Sequence, residues 1–99
     1  MANFTEITTK TTTQIKTGAG IWHGILVSSP GTTWTIQVYD SNDPTNFATS
    51  GKPIFGATAV TVPAAGTMIS VSSAGIHFTQ GLLIITAGTT AGELTVIWV

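Results

Sequence analysis

Forty consecutive residues, from position 53 to position 92, include no Asp, Glu, Lys or Arg. Gly and Pro interrupt this stretch, so it has no unbroken apolar run of the roughly 20 residues that a membrane-spanning helix needs. Charged residues make up 7% of the chain and the formal net charge is −1, whereas ordinary globular domains have about 25% charged residues. Because so little charge gives weak repulsion between molecules, the sequence predicts a subunit that packs against neighbours and does not enter a membrane.

The composition indicates an all-β fold. Twenty Thr and eleven Gly are interspersed with Val, Ile and aromatic residues, a mixture that suits a pleated, half-buried strand. The apolar segments alternate or are short, and they lie at 4–17, 21–27, 34–38, 54–62, 68–72, 76–79, 82–85 and 94–99. At 99 residues the chain supports one domain. We therefore predict a single-domain antiparallel β-sandwich, jelly-roll-like or a small barrel, with about seven or eight strands and almost no α-helix.

Alternation assigns the buried face of each strand. The turn residues 29–32 between two alternating segments predict a β-hairpin over 21–38, with positions 21, 23, 25 and 27 on one face. The predicted core is Ile25, Val27, Trp34, Ile36, Val38, Val60, Val62, Ile69, Val71, Leu83, Ile85, Val96 and Trp98.

The N-terminal segment has high β-propensity but few apolar residues. It reads as one long strand over 4–17, and we divide the chain into an N-terminal strand or arm at 1–17 and a sandwich domain at 18–99. An edge strand of the chain's own sheet and an arm that pairs with a neighbouring subunit both fit this pattern. The interface residues predicted here are Phe4, Thr5, Ile7, Thr9, Thr11 and Thr13.

Residues 40–53 form the longest irregular segment, and loops of this length often make contacts. We predict interface residues at Asn42, Asp43, Asn46 and Phe47. Asp40, Asn42, Asp43 and Asn46 also resemble a calcium-type ligand cluster, but the spacing and the terminal Glu of an EF-hand are missing. Turns in which these side chains bind their own backbone explain them better.

Several functional classes lack the residues they need. The chain has no Cys, and neither His23 nor His77 has an acidic residue at metal-site or triad spacing, so we predict no enzyme, no metal and no cofactor. With no Arg and three Lys, nucleic-acid binding is not expected. The first ten residues lack the pattern of a secretory signal, which predicts synthesis in a cytoplasm without export.

The chain resembles the small all-β virion proteins of tailed bacteriophages. The resemblance rests on a Thr-rich first strand, Gly18-Ala-Gly20, the Asp after Val38-Tyr39, the stretch from Phe78 to Gly88, and Leu94 to Trp98. It implies a structural protein located in the virion, namely a capsid decoration (cement) protein that binds the major capsid protein or other virion subunits. The chain would act as a homo-oligomer, with a trimer as the expected number.

Two other functions stay open. The first is a tail-associated, adaptor or head-fibre-base subunit of the virion. The second is a small carbohydrate- or ligand-binding module that uses the 40–53 loop and exposed aromatic rings at Trp22, Trp34, Tyr39 and Trp98. For Trp34, which shares a face with Ile36, burial in the core is the better interpretation.

Overall fold

The chain folds into two antiparallel sheets packed face to face, which confirms the predicted all-β sandwich. The computed structural model describes residues 2–71 and 73–99, and in these it has nine strands and one short helix. The elements are β1 (Asn3–Ile7), β2 (Thr12–Thr17), β3 (Gly20–Ser29), β4 (Thr35–Asp40), α1 (Phe47–Ser50), β5 (Lys52–Thr61), β6 (Met68–Ser70), β7 (Ile76–Phe78), β8 (Gly81–Ala87) and β9 (Glu93–Trp98). The predicted strand at 68–72 is seen as β6, and its end at position 72 lies outside the described residues.

The strands are connected as in a jelly roll. The front sheet has the order β1-β9-β3-β6, with β7 also paired to β3, and the back sheet has the order β2-β8-β4-β5. Both β6 and β7 pair with β3, at different positions along it, so they act as two halves of one interrupted strand. Counted in this way, there are two four-stranded sheets, and consecutive strands lie in opposite sheets except β4 and β5, which pair with each other in the back sheet. This is the jelly-roll arrangement.

The core lies between the two sheets, and most of the predicted positions are in it. Ile25, Val27, Trp34, Ile36, Val38, Val62, Leu83 and Val96 are buried, whereas Ile69, Val71, Ile85 and Trp98 are only partly buried. The prediction that Val60 lies in the core is wrong, because this residue is 36% exposed on the edge strand β5. The prediction missed Ile7, Trp22, Tyr39, Phe78, Leu82, Ile84 and Leu94, all of which are buried.

The predicted hairpin over 21–38 is wrong. β3 lies in the front sheet and β4 in the back sheet, so the turn between them crosses from one sheet to the other. The crossing is held by a bridge between Thr32 and Thr90, whose backbone amides and carbonyls bond at 2.9 and 3.0 Å. Turn residues specify a reversal of the chain, but they do not specify whether the two strands then pair or face each other.

A β-bulge in β3 changes which side chains face the core. The register with β9 shifts between Trp22 and Gly24, and Gly24 has a φ of +134°, a conformation that side chains rarely permit. Trp22 is therefore buried together with Ile25, whereas His23 is only partly buried. The expected common face of positions 21, 23, 25 and 27 is wrong for this reason.

The N-terminal segment forms two strands and not one continuous strand. β1 pairs with β9 at one edge of the front sheet, and β2 pairs with β8 at one edge of the back sheet. Residues 8–11 carry the chain from the first sheet to the second. Of the two alternatives, the described residues of 1–17 form edge strands within their own subunit, one in each sheet. Position 1 lies outside the described residues.

Candidate functional site

Asp40 organises one end of the sandwich. It is the last residue of β4, it is 8% exposed, and its carboxylate faces the turn that leads into β8. Oδ1 accepts hydrogen bonds from the amides of Gln80 at 2.8 Å and Gly81 at 3.2 Å, and Oδ2 accepts from the amide and hydroxyl of Thr79 at 3.0 and 3.3 Å. A carboxylate has about four lone-pair positions, so Asp40 is fully used in holding this turn.

The same contacts keep Asp40 ionised. Burial alone would raise the pKa of its carboxyl group, because a low dielectric disfavours charge. The amide hydrogen bonds from Thr79, Gln80 and Gly81, with that of the Thr79 hydroxyl, act in the opposite direction and hold the pKa below its usual range. Asp40 is therefore a structural anion and not an acid poised to transfer a proton.

A cavity of about 390 Å³ lies beside Asp40, at the side of the sandwich where edge strand β5 of the back sheet approaches β7 of the front sheet. Its size falls in the range of small-ligand sites. It is lined by Asp40, Lys52, Pro53, Ile54, Ile76, His77 and Thr79. Asp40 and Lys52 are directly opposite each other across β4 and β5.

The polar groups in this cavity differ in whether they can still form hydrogen bonds with a ligand. Asp40 is saturated by its hydrogen bonds to residues 79–81. Neither Lys52 nor His77 has a side-chain hydrogen bond or ion pair with any other residue of the described chain. His77 is exposed on β7.

The predicted contact residues in the 40–53 loop are mainly engaged within the loop. Asp43 Oδ1 accepts the amides of Thr45 at 3.0 Å and Asn46 at 3.1 Å, the backbone-binding turn that the sequence indicated. The Asn46 bond and then the Thr45 bond hold the pKa of Asp43 below its usual range. Phe47 packs edge-on against Tyr39, with ring centroids 5.0 Å apart. Asn42 is exposed.

The predicted contact residues near the N-terminus are distributed over core and surface. Phe4 is 68% exposed on β1, whereas Ile7 is 3% exposed and lies in the core, where it has no surface to offer a partner. Thr5 accepts a hydrogen bond from Trp98 Nε1 at 3.0 Å. Thr9 and Thr11 lie between β1 and β2 and are exposed, and their hydroxyl groups are 3.1 Å apart. Thr13 is partly buried on β2.

The outer side of the front sheet presents apolar side chains to solvent. One cross-strand row is Glu6, Thr95, Leu26 and Met68, and the next is Phe4, Ile97, Gly24 and Ser70. Phe4 is 68% exposed, and Leu26 and Met68 are 41% exposed each. A Cβ on Gly24 would lie 3.3 Å from Met68 Cε, so the methionine covers the glycine. We call this surface the front face and define it by Phe4, Glu6, Leu26, Met68, Thr95 and Ile97.

Sequence reasoning missed the cavity and the front face, although it named Phe4. The partners of Asp40 lie 39–41 residues away in sequence and are backbone amides, which have no sequence signal. The exposed aromatic rings considered for carbohydrate binding do not form one surface, because Trp22 and Trp34 are fully buried in the core.

Comparison with known proteins gives no relative from which a role could be transferred. The chain matches no protein-family model, no curated protein and no solved structure. Within residues 2–71 and 73–99, no helix is long and apolar enough to cross a bilayer. The same residues contain no group of three or more His, Cys, Asp or Glu side chains placed to hold a metal ion.

Proposed function

We propose that this protein is a non-enzymatic structural subunit of a tailed-bacteriophage particle, namely a capsid decoration protein that binds the major capsid protein or other virion subunits as a small oligomer. The observation that carries the proposal is the front face, where Leu26 and Met68 are exposed side by side on β3 and β6 and Phe4 is exposed on β1, on the other side of β9. Glu6 is the one charged residue among the six that define this surface.

An exposed apolar surface of this kind favours contact with another protein. Large contiguous apolar patches on soluble proteins usually mark contact surfaces. The broad side of the sandwich measures 31 × 29 Å between Cα atoms, a product of about 900 Å², and a standard protein interface buries about 800 Å² on each partner. One broad side is therefore large enough for a stable contact, and the low charge of the chain leaves little repulsion to oppose it.

The fold is compatible with this role but does not specify it. Jelly rolls are common in viral capsid proteins and also occur in lectins and cupins, and a fold by itself does not define a function. The resemblance to phage virion proteins and the apolar front face favour the structural role, and a trimer is the oligomer that we propose.

The first test follows the native chain. An antibody against the purified protein is used to probe density-gradient fractions of phage particles from the source culture. We expect the chain to sediment with the particles in a fixed ratio to the major capsid protein. Recovery of the chain only at the top of the gradient would refute the proposed role.

The second test locates the contact. Purified variants are added to particles stripped of the chain, and bound protein is measured after sedimentation. Phe4→Ser with Leu26→Ser is expected to reduce binding, because both side chains lie on the front face. Val60→Ser is the matched control, since Val60 is an exposed apolar residue of the back sheet. Equal binding by both variants would place the contact elsewhere on the subunit.

A further inference from the structure

We propose that the cavity between β5 and β7 binds a small organic monocarboxylate, with its carboxylate group held by Lys52 and His77 and its hydrocarbon part packed on Ile54 and Ile76. This inference concerns a second site on the molecule. It does not depend on the structural role proposed above.

Asp40 has no free oxygen to offer a cationic ligand. An amine or a metal ion would need free carboxylate lone pairs in the cavity. Asp40 is the one carboxylate in the lining, and four hydrogen bonds from residues 79–81 occupy its oxygens. The anion is thus already compensated by the protein's own amides.

The groups that remain free are mainly hydrogen-bond donors. Lys52 has three N–H donors and His77 has at least one, and neither side chain has a partner within the described chain. A ligand that satisfies both must present acceptor atoms, and hydrogen bonds that involve an ionised donor or acceptor are about twice as strong as those between neutral groups. A carboxylate presents two such oxygens side by side.

The charge and the walls of the cavity limit the chemical class of the ligand further. Asp40 and Lys52 carry formal charges of −1 and +1 and sum to zero, so a monoanion meets less repulsion from Asp40 than a phosphate dianion does. Ile54 and Ile76 are partly buried residues packed on the core, and they form an apolar wall beside the donors. No Trp, Tyr or Phe ring is among the lining residues to stack on a sugar.

The cavity is separate from the surface proposed for particle binding. None of its lining residues belongs to the front face, which is built from β1, β3, β6 and β9. Substitution in the cavity can therefore be tested without changing the front face, and the two proposals can fail independently.

The experiment is a titration of the ¹⁵N-labelled full chain, followed by amide chemical shifts, with butanoate as the probe. Butan-1-amine, inorganic phosphate and methyl α-glucoside are titrated as comparison compounds. We expect butanoate to shift the amides of Lys52, His77 and Thr79 with a Kd of about 1 mM, as is usual for so small a ligand. The comparison compounds are expected to bind at least about tenfold more weakly.

Variants test the donors directly. Lys52→Met is expected to weaken butanoate binding by about tenfold or more, since a charge-assisted hydrogen bond is lost, and His77→Phe should weaken it in the same direction. Lys10→Met is the matched control, because Lys10 bonds to the carbonyl of Thr89, near the end of β8 opposite the cavity. The proposal is overturned if butanoate shifts none of the three amides, if a comparison compound binds as tightly, or if Lys52→Met binds like wild type.

Discussion

Replacing Asp40 by Asn tests how the end of the sandwich is held together. The two side chains have nearly the same shape, so the substitution removes a charge and one acceptor oxygen without opening a cavity. In the native chain, the two carboxylate oxygens accept four hydrogen bonds from residues 79–81. An amide can keep its oxygen on Gln80 and Gly81, but its NH₂ group then faces the amide of Thr79, another donor.

The expected loss follows from these contacts. Hydrogen bonds to a charged group contribute about 1.5–3 kcal/mol each, against about 1 kcal/mol for neutral ones. Two bonds weakened and one donor left facing a donor give a total loss of about 3 kcal/mol. In a domain of about 100 residues, 1 kcal/mol changes Tm by about 4–8 °C, so Tm should fall by about 12–24 °C.

The pH dependence of this difference provides a second measure. Because the pKa of Asp40 is lowered in the folded chain, the folded state binds fewer protons than the unfolded state near the usual aspartate pKa of about 3.9. The stabilisation is therefore complete above this pH and is lost as the pH falls through the lower, folded pKa. The gap between the Tm values of wild type and Asp40→Asn should narrow as the pH falls below the usual aspartate pKa and close once the pH is below the lowered pKa of the folded chain.

Thermal unfolding followed by circular dichroism from pH 7 to pH 2 measures both effects. Asp43→Asn is the control, because Asp43 also accepts two amides but lies in an exposed turn of the loop. Its Tm should fall much less than that of Asp40→Asn. An Asp40→Asn protein that melts within about 2 °C of wild type at pH 7, below the 4 °C that 1 kcal/mol would give, would refute this account of the turn.

Two further pairs of variants test the core and the bulge by urea unfolding. Trp34→Phe should cost about 1 kcal/mol less than Trp22→Phe, because Trp22 Nε1 donates to Gly24 O at 3.2 Å whereas Trp34 Nε1 is buried with no acceptor among the described residues; a larger loss at Trp34 would contradict this. Gly24→Ala should cost about 2–4 kcal/mol, since its Cβ would lie 2.5 Å from Ile69 O at a φ of +134°. Gly18→Ala, at +88° but with nothing within 4 Å, should cost only about 1 kcal/mol, and equal losses would show that the bulge tolerates a side chain.

The fold class follows from composition and alternation, but the pairing of strands does not. Thr, Val and Ile at short spacing are sufficient to predict a β-sandwich, and the short apolar run at 82–85 lies in β8, which is buried on both sides at Leu82, Leu83 and Ile84. The sequence between β3 and β4 has turn chemistry that fits a hairpin as well as a crossing between sheets. Pairings between residues far apart in sequence distinguish the two: β3 with β9, β4 with β8, and Thr32 with Thr90.

The candidate sites were harder to predict for a related reason. A period of two assigns faces only while the register is regular, and the bulge at Gly24 reverses the assignment for Trp22. The cavity depends on β5 and β7, which are distant in sequence and belong to different sheets. Of the predicted contact residues, Phe4 is on the front face, whereas Ile7 is drawn into the core because it lies opposite Leu94 in β9.

The position of β9 has a consequence for how the chain reaches its folded state. This strand follows all the others in sequence, yet it lies inside the front sheet, hydrogen-bonded to β1 on one side and β3 on the other. During synthesis β1 has no neighbour until residues 93–98 have left the ribosome, so the front sheet cannot close progressively. Pairing across so long a loop is slow, on the scale of milliseconds to seconds. Proteolytic removal of β9 would take a strand from the middle of the sheet and not from its edge, and the chain would then lose its fold in one step.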